Sequence, residues 1–288
     1  MEKHIFRIIL VMGLFSFLGC SKVKGPPELE KPGKALSFVL LREPVLPEPA
    51  ALQSAYEEFS GKTGSFRIMD EEESTDEEDT AVMVVNIDGI GTGFIALMPI
   101  AIPNGEAEAA FDYSMSSFRE GASVEGHKAH ILVTLMAEET TSPLDLMMAQ
   151  TSLLAAVGKV TPSIGVYWGD AGATHTMDFF LAMASEKDVS PRATLWTGVS
   201  RAPEPGDRLS FLSLGMKQFA LPDLYLISQP GEAGEALGRC YDLLAYVISR
   251  GEPIPEGDTI GADETEKIPV NYTKSPADNG EIVWKVEL

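Results

Sequence analysis

Histidine is scarce in this sequence, so its placement carries weight. The 288 residues include four, and three of them, His127, His130 and His175, lie beyond the first few residues. The pair in His127-Lys-Ala-His130 invites a metal reading, because neutral imidazole is a common transition-metal ligand. Spacing weighs against it. On a strand, residues three apart point to opposite faces, so only a turn or bulge lets both rings converge. His175 joins them only if Gly169 to Gly172 folds toward that strand, with Asp170 as an oxygen ligand. The plainer expectation is one histidine hydrogen-bonded in the core and two at the surface.

A second stretch, Trp168-Gly169-Asp170-Ala171-Gly172, falls at the end of a strand-like run and just before a helical one. Strand ends beside helix N-termini are where open α/β sheets hold ligands, and glycine permits close backbone approach. A tight turn that needs glycine for its dihedrals explains the same residues. The candidate pocket therefore comprises His127, His130, Trp168, Asp170, His175 and Trp196.

Other motifs exclude more than they assign. Asp88-Gly-Ile-Gly-Thr-Gly93 is followed by a strand pattern, has the wrong spacing for a dinucleotide fingerprint, and lacks a Lys-Ser/Thr, so it reads as a glycine-rich hairpin. The acidic run Asp70 to Asp79 lacks the glycine and spaced ligands of an EF-hand loop and reads as a solvated loop. There is no Gly-x-Ser-x-Gly elbow, His-Glu-x-x-His or Cys-x-x-Cys, so no catalytic residue is assigned and no cofactor is expected. A formal net charge of −21 disfavours nucleic-acid partners, because such a surface repels phosphate.

The start of the chain bears on location. Lys3 and Arg7 precede the uncharged run Ile8 to Leu18, which ends in Gly19-Cys20. This is the order of a secretory signal, and the run is shorter than the ~20 residues of a spanning helix. The small residue before the cysteine resembles a bacterial lipobox. We therefore expect a signal peptide over 1–19, a lipid on Cys20, a flexible tether over 20–35, and an exported protein anchored to a bacterial membrane. The other cysteine, Cys240, is then left without a partner and reads as a buried thiol.

The elements that must position these residues follow from periodicity. Leu36 to Leu41, Ser65 to Met69, Ala81 to Ile87, Phe94 to Met98, His130 to Met136, Ile164 to Trp168 and Ile282 to Val286 read as strands. Helical spacing covers Leu52 to Phe59, Leu144 to Ala155, Thr176 to Ala184 and Gly231 to Arg250. Ser142-Pro-Leu-Asp145 offers an N-cap, and Gly158 a stop. Ala193 to Ser200 and Leu209 to Leu214 read as a hairpin, and Pro99 to Ser117 as an irregular crossing. Several strands are joined without helices. The fold class is therefore α+β, with a mixed, largely antiparallel sheet and helices packed on it. A single domain over 36–288 accommodates all of it. Each half holds a strand–helix–strand unit, so two related subdomains, 36–125 and 126–288, are an alternative.

Three stretches together, Gly126-His-Lys-Ala-His-Ile-Leu-Val133, Gly165-Val-Tyr-Trp-Gly-Asp170 and Gly257-Asp-Thr-Ile-Gly261, carry a family resemblance. With Met98-Pro-Ile-Ala-Ile-Pro103 and Leu195-Trp196, their order resembles the bacterial domain of unknown function 4261 family over about Leu36 to Leu288. The resemblance implies a shared fold and shared motif positions. It brings no reaction, substrate or cofactor. The functional expectation is an extracytoplasmic lipoprotein whose domain binds a small ligand or an envelope protein without chemistry. The alternatives are a metal-dependent hydrolase using His127, His130, His175 and Asp170, and a structural envelope protein.

Overall fold

The computed structural model describes residues 25–69, 82–261 and 265–288. The expected signal segment, Cys20 and the acidic run over 70–79 lie outside the described residues. Seven strands form the first sheet: β1 (Lys34–Leu41), β2 (Phe66–Ile68), β3 (Val82–Ile87), β4 (Gly91–Met98), β5 (Ala129–Ala137), β6 (Ser163–Trp168) and β7 (Ala173–Thr176). Their order is β2-β3-β4-β5-β1-β6-β7, and every pairing is antiparallel. Five more strands form the second sheet: β8 (Gly198–Glu204), β9 (Arg208–Leu214), β10 (Leu224–Ile227), β13 (Asn271–Lys274) and β14 (Ile282–Glu287). Between β10 and β13 in the chain, β11 (Thr259–Ile260) and β12 (Ile268–Pro269) make a small separate ladder. The second sheet runs β13-β14-β10-β9-β8, and its β10–β14 pair is parallel. The fold is α+β with mixed, largely antiparallel sheets. A cut at 125/126 would pass through the first sheet, because β5 lies between β4 and β1, and β6 pairs with β1.

The helices are α1 (Pro49–Ser60), α2 (Glu106–Ala109), α3 (Pro143–Val160), α4 (Met177–Ser185), α5 (Val189–Trp196) and α6 (Ala233–Arg250). Among the described residues no helix is long and apolar enough to cross a membrane. Local chemistry sets the ends. Pro49 opens α1 with the Glu48 carboxylate accepting from the amides of Ala50 and Ala51, and Gly61 closes it with φ +69°. Ser142 caps α3, its hydroxyl accepting from the Asp145 amide at 3.1 Å. From Leu146 to Gly158 that helix is buried nearly all round, as a helix between a sheet and neighbouring helices must be.

Two expectations need correction. Gly158 does not stop α3, which continues to Val160. A Cβ there would lie 2.5 Å from the Met177 sulfur, so the glycine serves the close approach of α4. The first part of the expected hairpin over Ala193 to Ser200 is helical: residues 193–196 end α5, and only β8 pairs with β9. A β-rich composition misled there. Packing of Leu195 and Trp196, both fully buried, overrides the local preference.

One apolar core runs under both sheets and includes Val39, Leu154, Trp168, Phe180, Trp196, Phe219, Leu226 and Val286. A smaller one, with Leu40, Ile102, Ala107, Val124 and Tyr167, lies under the crossing between β4 and β5. Residues 25–33, the later part of the expected tether, are seated on the domain. The Gly25 amide donates to the Glu256 carboxylate, and the Gly33 carbonyl accepts from the Ala137 amide at 2.9 Å. The segment therefore straps the second sheet to the first.

Candidate functional site: a cleft between the two sheets

The first sheet's connection from β6 to β7 is the Gly169–Ala171 turn, closed by Gly172 at φ +55°. It packs directly on the second sheet. A Cβ on Gly198 would lie 2.5 Å from the Ala171 carbonyl, and one on Gly215 would lie 2.8 Å from the Ala171 Cα. Gly215 also has φ +106°, which side chains disfavour. Glycine is required at both places for the backbones to meet.

Beside that contact opens a cleft of about 880 Å³. The 169–172 turn, the start of β1, the strap residues 30–33 and the Leu214–Gln218 corner of the second sheet wall it. Its charged rim holds Lys34, Asp170, Lys217, Asp223 and Glu281. Asp170 is exposed there. Partial loss of solvent pushes its carboxyl up, and Lys34 pulls it down. Asp223 is 9% exposed, and burial pushes its carboxyl up to about 6 against the pull of its hydrogen bonds. Its Oδ1 accepts from the Ser213 hydroxyl at 2.8 Å and the Met216 amide at 3.2 Å. Lys217 and Glu281 form an ion pair.

Of the six residues expected to line a pocket, only Asp170 does so. Trp168 and Trp196 lie beneath the cleft floor and are joined through Gln218. The Trp168 indole donates to Gln218 Oε1 at 2.9 Å, and Gln218 Nε2 donates to the Trp196 carbonyl at 2.6 Å. The Trp196 indole donates to the Thr151 hydroxyl at 2.8 Å. These aromatic rings bury area against both sheets and need partners for their N–H groups, which Gln218 and Thr151 supply. His175 is fully buried. Its Nε2 donates to the Leu195 carbonyl at 3.0 Å, and Nδ1 accepts from the Ser114 hydroxyl at 2.6 Å. Burial pushes its imidazole down to about 4, so the ring is neutral and both nitrogens are used. A serine beside a histidine suggests a nucleophile, but Ser114 is 1% exposed and has no route to a substrate.

His127 and His130 serve the crossing between β4 and β5. His127 Nε2 accepts from the Ile102 amide at 2.9 Å, which places the ring proton on Nδ1, 3.1 Å from the Glu108 carboxylate. His130 Nδ1 donates to the Ile100 carbonyl at 2.9 Å, and its ring meets Phe38 edge-on. Desolvation pushes His130 down. The two histidines thus clamp Pro99 to Pro103 onto β5. In the β1–β5 register His130 faces Leu40, six residues and ~20 Å along the strand from Lys34 at the cleft. The set His127, His130, His175 and Asp170 is not assembled. Among the described residues no three His, Cys, Asp or Glu side chains are grouped to hold a metal ion. The residues that do line the cleft, Lys34, Lys217, Asp223 and Glu281, carry no local sequence signal, because only the packing of one sheet against the other brings them together.

The second sheet's side of the cleft, with α6 and the β11–β12 ladder behind it, falls in residues 212–287. That segment matches the DUF4261 family model. The model is described as a domain of unknown function, so the match brings similarity and no reaction. The Gly257–Gly261 motif and the cleft residues Gly215, Gln218, Asp223 and Glu281 lie inside the matched DUF4261 segment, whereas Asp170 and the two clamping histidines precede it. No curated protein and no solved structure shows a match to the chain.

Proposed function

We propose that this protein is an exported, lipid-anchored ligand-binding domain whose site is the cleft between its two sheets. The observation that carries the reading is the cleft itself: about 880 Å³, within the range of small-molecule sites, walled by both sheets and rimmed by charged side chains. Among the described residues its lining is rich in glycines and in charged or amide side chains, which suits recognition by charge and hydrogen bonds. Export and the anchor are supported by the basic residues, apolar run and Gly19-Cys20 at the start of the chain. The strap shortens the leash. Gly25 is held at Glu256, so four intervening residues, 21–24, and at most ~18 Å of chain separate it from a lipid on Cys20.

Two measurements test the proposal. Mass spectrometry of the protein purified from a bacterial envelope reads the mature N-terminus, and an acylated Cys20 is the expected result. A metabolite library screened by thermal shift should give ligands that stabilise the wild type and fail with Asp170→Arg, a change at an exposed rim position. Ligands that stabilise both proteins equally would place binding elsewhere.

A further inference from the structure

We propose that a cavity between α1, α3 and the α4–α5 connection is a site for a small tetrahedral oxyanion of the phosphate kind, held by Arg192, Lys187 and the Tyr56 hydroxyl. The cavity lies apart from the cleft between the sheets, and nothing in it depends on a ligand there.

Arg192, on α5, is 1% exposed. An arginine so deeply buried is ordinarily paired with a carboxylate, because a charge held away from water is costly when uncompensated. The chain carries 43 Asp and Glu residues, yet no carboxylate stands among the partners of this guanidinium. Its Nε donates to the Glu186 carbonyl at 2.6 Å and its Nη2 to the Ala184 carbonyl at 2.7 Å, which closes the end of α4. Nη1, with two N–H groups, has only the Met148 carbonyl at 3.5 Å and the Met148 sulfur at 3.4 Å, both long contacts. Arg192 and Met148 both line the cavity. Burial pushes the guanidinium down, and no acid offsets that push.

Tyr56 is an independent observation. It is 2% exposed and its ring stacks on Phe66 at 4.6 Å, yet its hydroxyl has no hydrogen-bond partner among the described residues. A buried phenol ordinarily finds one, and Tyr56 lines the same cavity. Lys187 and Lys62 complete the positive lining. The Lys187 ammonium donates to the Phe59 carbonyl at 2.6 Å and forms no ion pair among the described residues. Lost solvent and the nearby Arg192 push it down, against a smaller lift from Glu58. One acid lines the cavity, Asp145, which is exposed and accepts from the Ser142 hydroxyl at 2.6 Å. Three cations thus meet one acid in a chain of net charge −21. The volume, about 140 Å³, is below the ~300–1,000 Å³ of metabolite-sized sites and suits a single small ion. A guanidinium, an ammonium and a hydroxyl are the donors that a tetrahedral oxyanion accepts from.

The test is isothermal titration of the full-length chain with sodium phosphate, with sodium chloride of matched ionic strength as the control. Phosphate should bind saturably and chloride should not. Lys187→Gln, at an exposed position, should weaken phosphate about tenfold. Tyr56→Phe, which keeps the ring on Phe66 and removes the hydroxyl, should weaken it about fivefold. Lys34→Gln, at the rim of the cleft, should leave the affinity unchanged. No saturable binding of phosphate would overturn the proposal, and so would wild-type affinity in either Lys187→Gln or Tyr56→Phe. Loss of binding in Lys34→Gln would move the anion to the cleft and overturn it as well.

Discussion

Acid acts on two buried groups of this protein in opposite directions, and the balance can be worked out. His175 has an ordinary value of 6.5 and is pushed down to about 4 by burial. A histidine whose folded value lies below its unfolded one stabilises the fold fully above pH 6.5 and less as pH falls toward 4. At about 1.36 kcal/mol per unit, the complete loss is about 3 kcal/mol, of which about 2 is gone at pH 5. Asp223 moves the other way, from 3.8 up to about 6. Its protonated form belongs to the fold, so stability rises as pH falls through 6 and levels off below 3.8. Between pH 7 and pH 5 that returns about 1 kcal/mol. The wild type should therefore lose only about 1 kcal/mol over this interval. Urea unfolding at pH 7 and pH 5 separates the parts. Asp223→Asn should lose about 2 kcal/mol between the two pH values, because the compensating carboxyl is gone. His175→Gln, whose amide can both accept from Ser114 and donate to Leu195, should instead gain about 1 kcal/mol. His130, pushed down, and Asp170, pushed up, act equally in all three proteins and cancel in the differences. Equal changes in stability between pH 7 and pH 5 for the wild type and His175→Gln would refute a neutral, fully buried His175.

Other perturbations follow from the same contacts. His127→Ala leaves the buried Ile102 amide without an acceptor and should cost about 1–3 kcal/mol by chemical denaturation. Gly198→Ala drives a Cβ into the Ala171 carbonyl, so it should lower the melting temperature and broaden the amide signals of residues 169–172, with a loss of about 2 kcal/mol. Leu29→Ser in the strap, where the side chain is half-buried against the second sheet, should cost about 1 kcal/mol and speed hydrogen exchange at Ala137, whose amide the strap holds. Cys240 is buried with its thiol pushed up to about 12, so it should react with a thiol reagent only on unfolding.

Much of the fold was legible in the chain because local chemistry agrees with the tertiary result. Ser142-Pro143 starts a helix, Gly61 and Gly251 end helices with positive φ, and short apolar runs mark β1, β4 and β5. What failed did so for non-local reasons. Gly158 looks like a stop and is a contact for Met177; Leu195 and Trp196 look like strand and are drawn into a helix by their burial. The tether composition suggested coil, yet Pro27 and Leu29 find the surface of the second sheet. The site divides the same way. Asp170 was found because glycines surround it at a strand end. His127, His130, His175, Trp168 and Trp196 lie away from the cleft lining: the first two hold the β4–β5 crossing, His175 bonds the Leu195 carbonyl, and the tryptophans are joined through Gln218. Asp223 has no motif around it and acquires meaning only when the Ser213 hydroxyl and the Met216 amide hold its carboxylate in the cleft lining.

The central claim is that this protein binds a ligand between its sheets. The most direct measurement is a map of backbone amide shifts in ¹⁵N-labelled protein titrated with a stabilising ligand from the library screen. The account predicts that the shifts concentrate at Gly169 to Gly172, Gly215 to Gln218 and Asp223, and disappear in Asp170→Arg. Shifts centred on the groove between α6 and β11, or under the β4–β5 crossing, would contradict it.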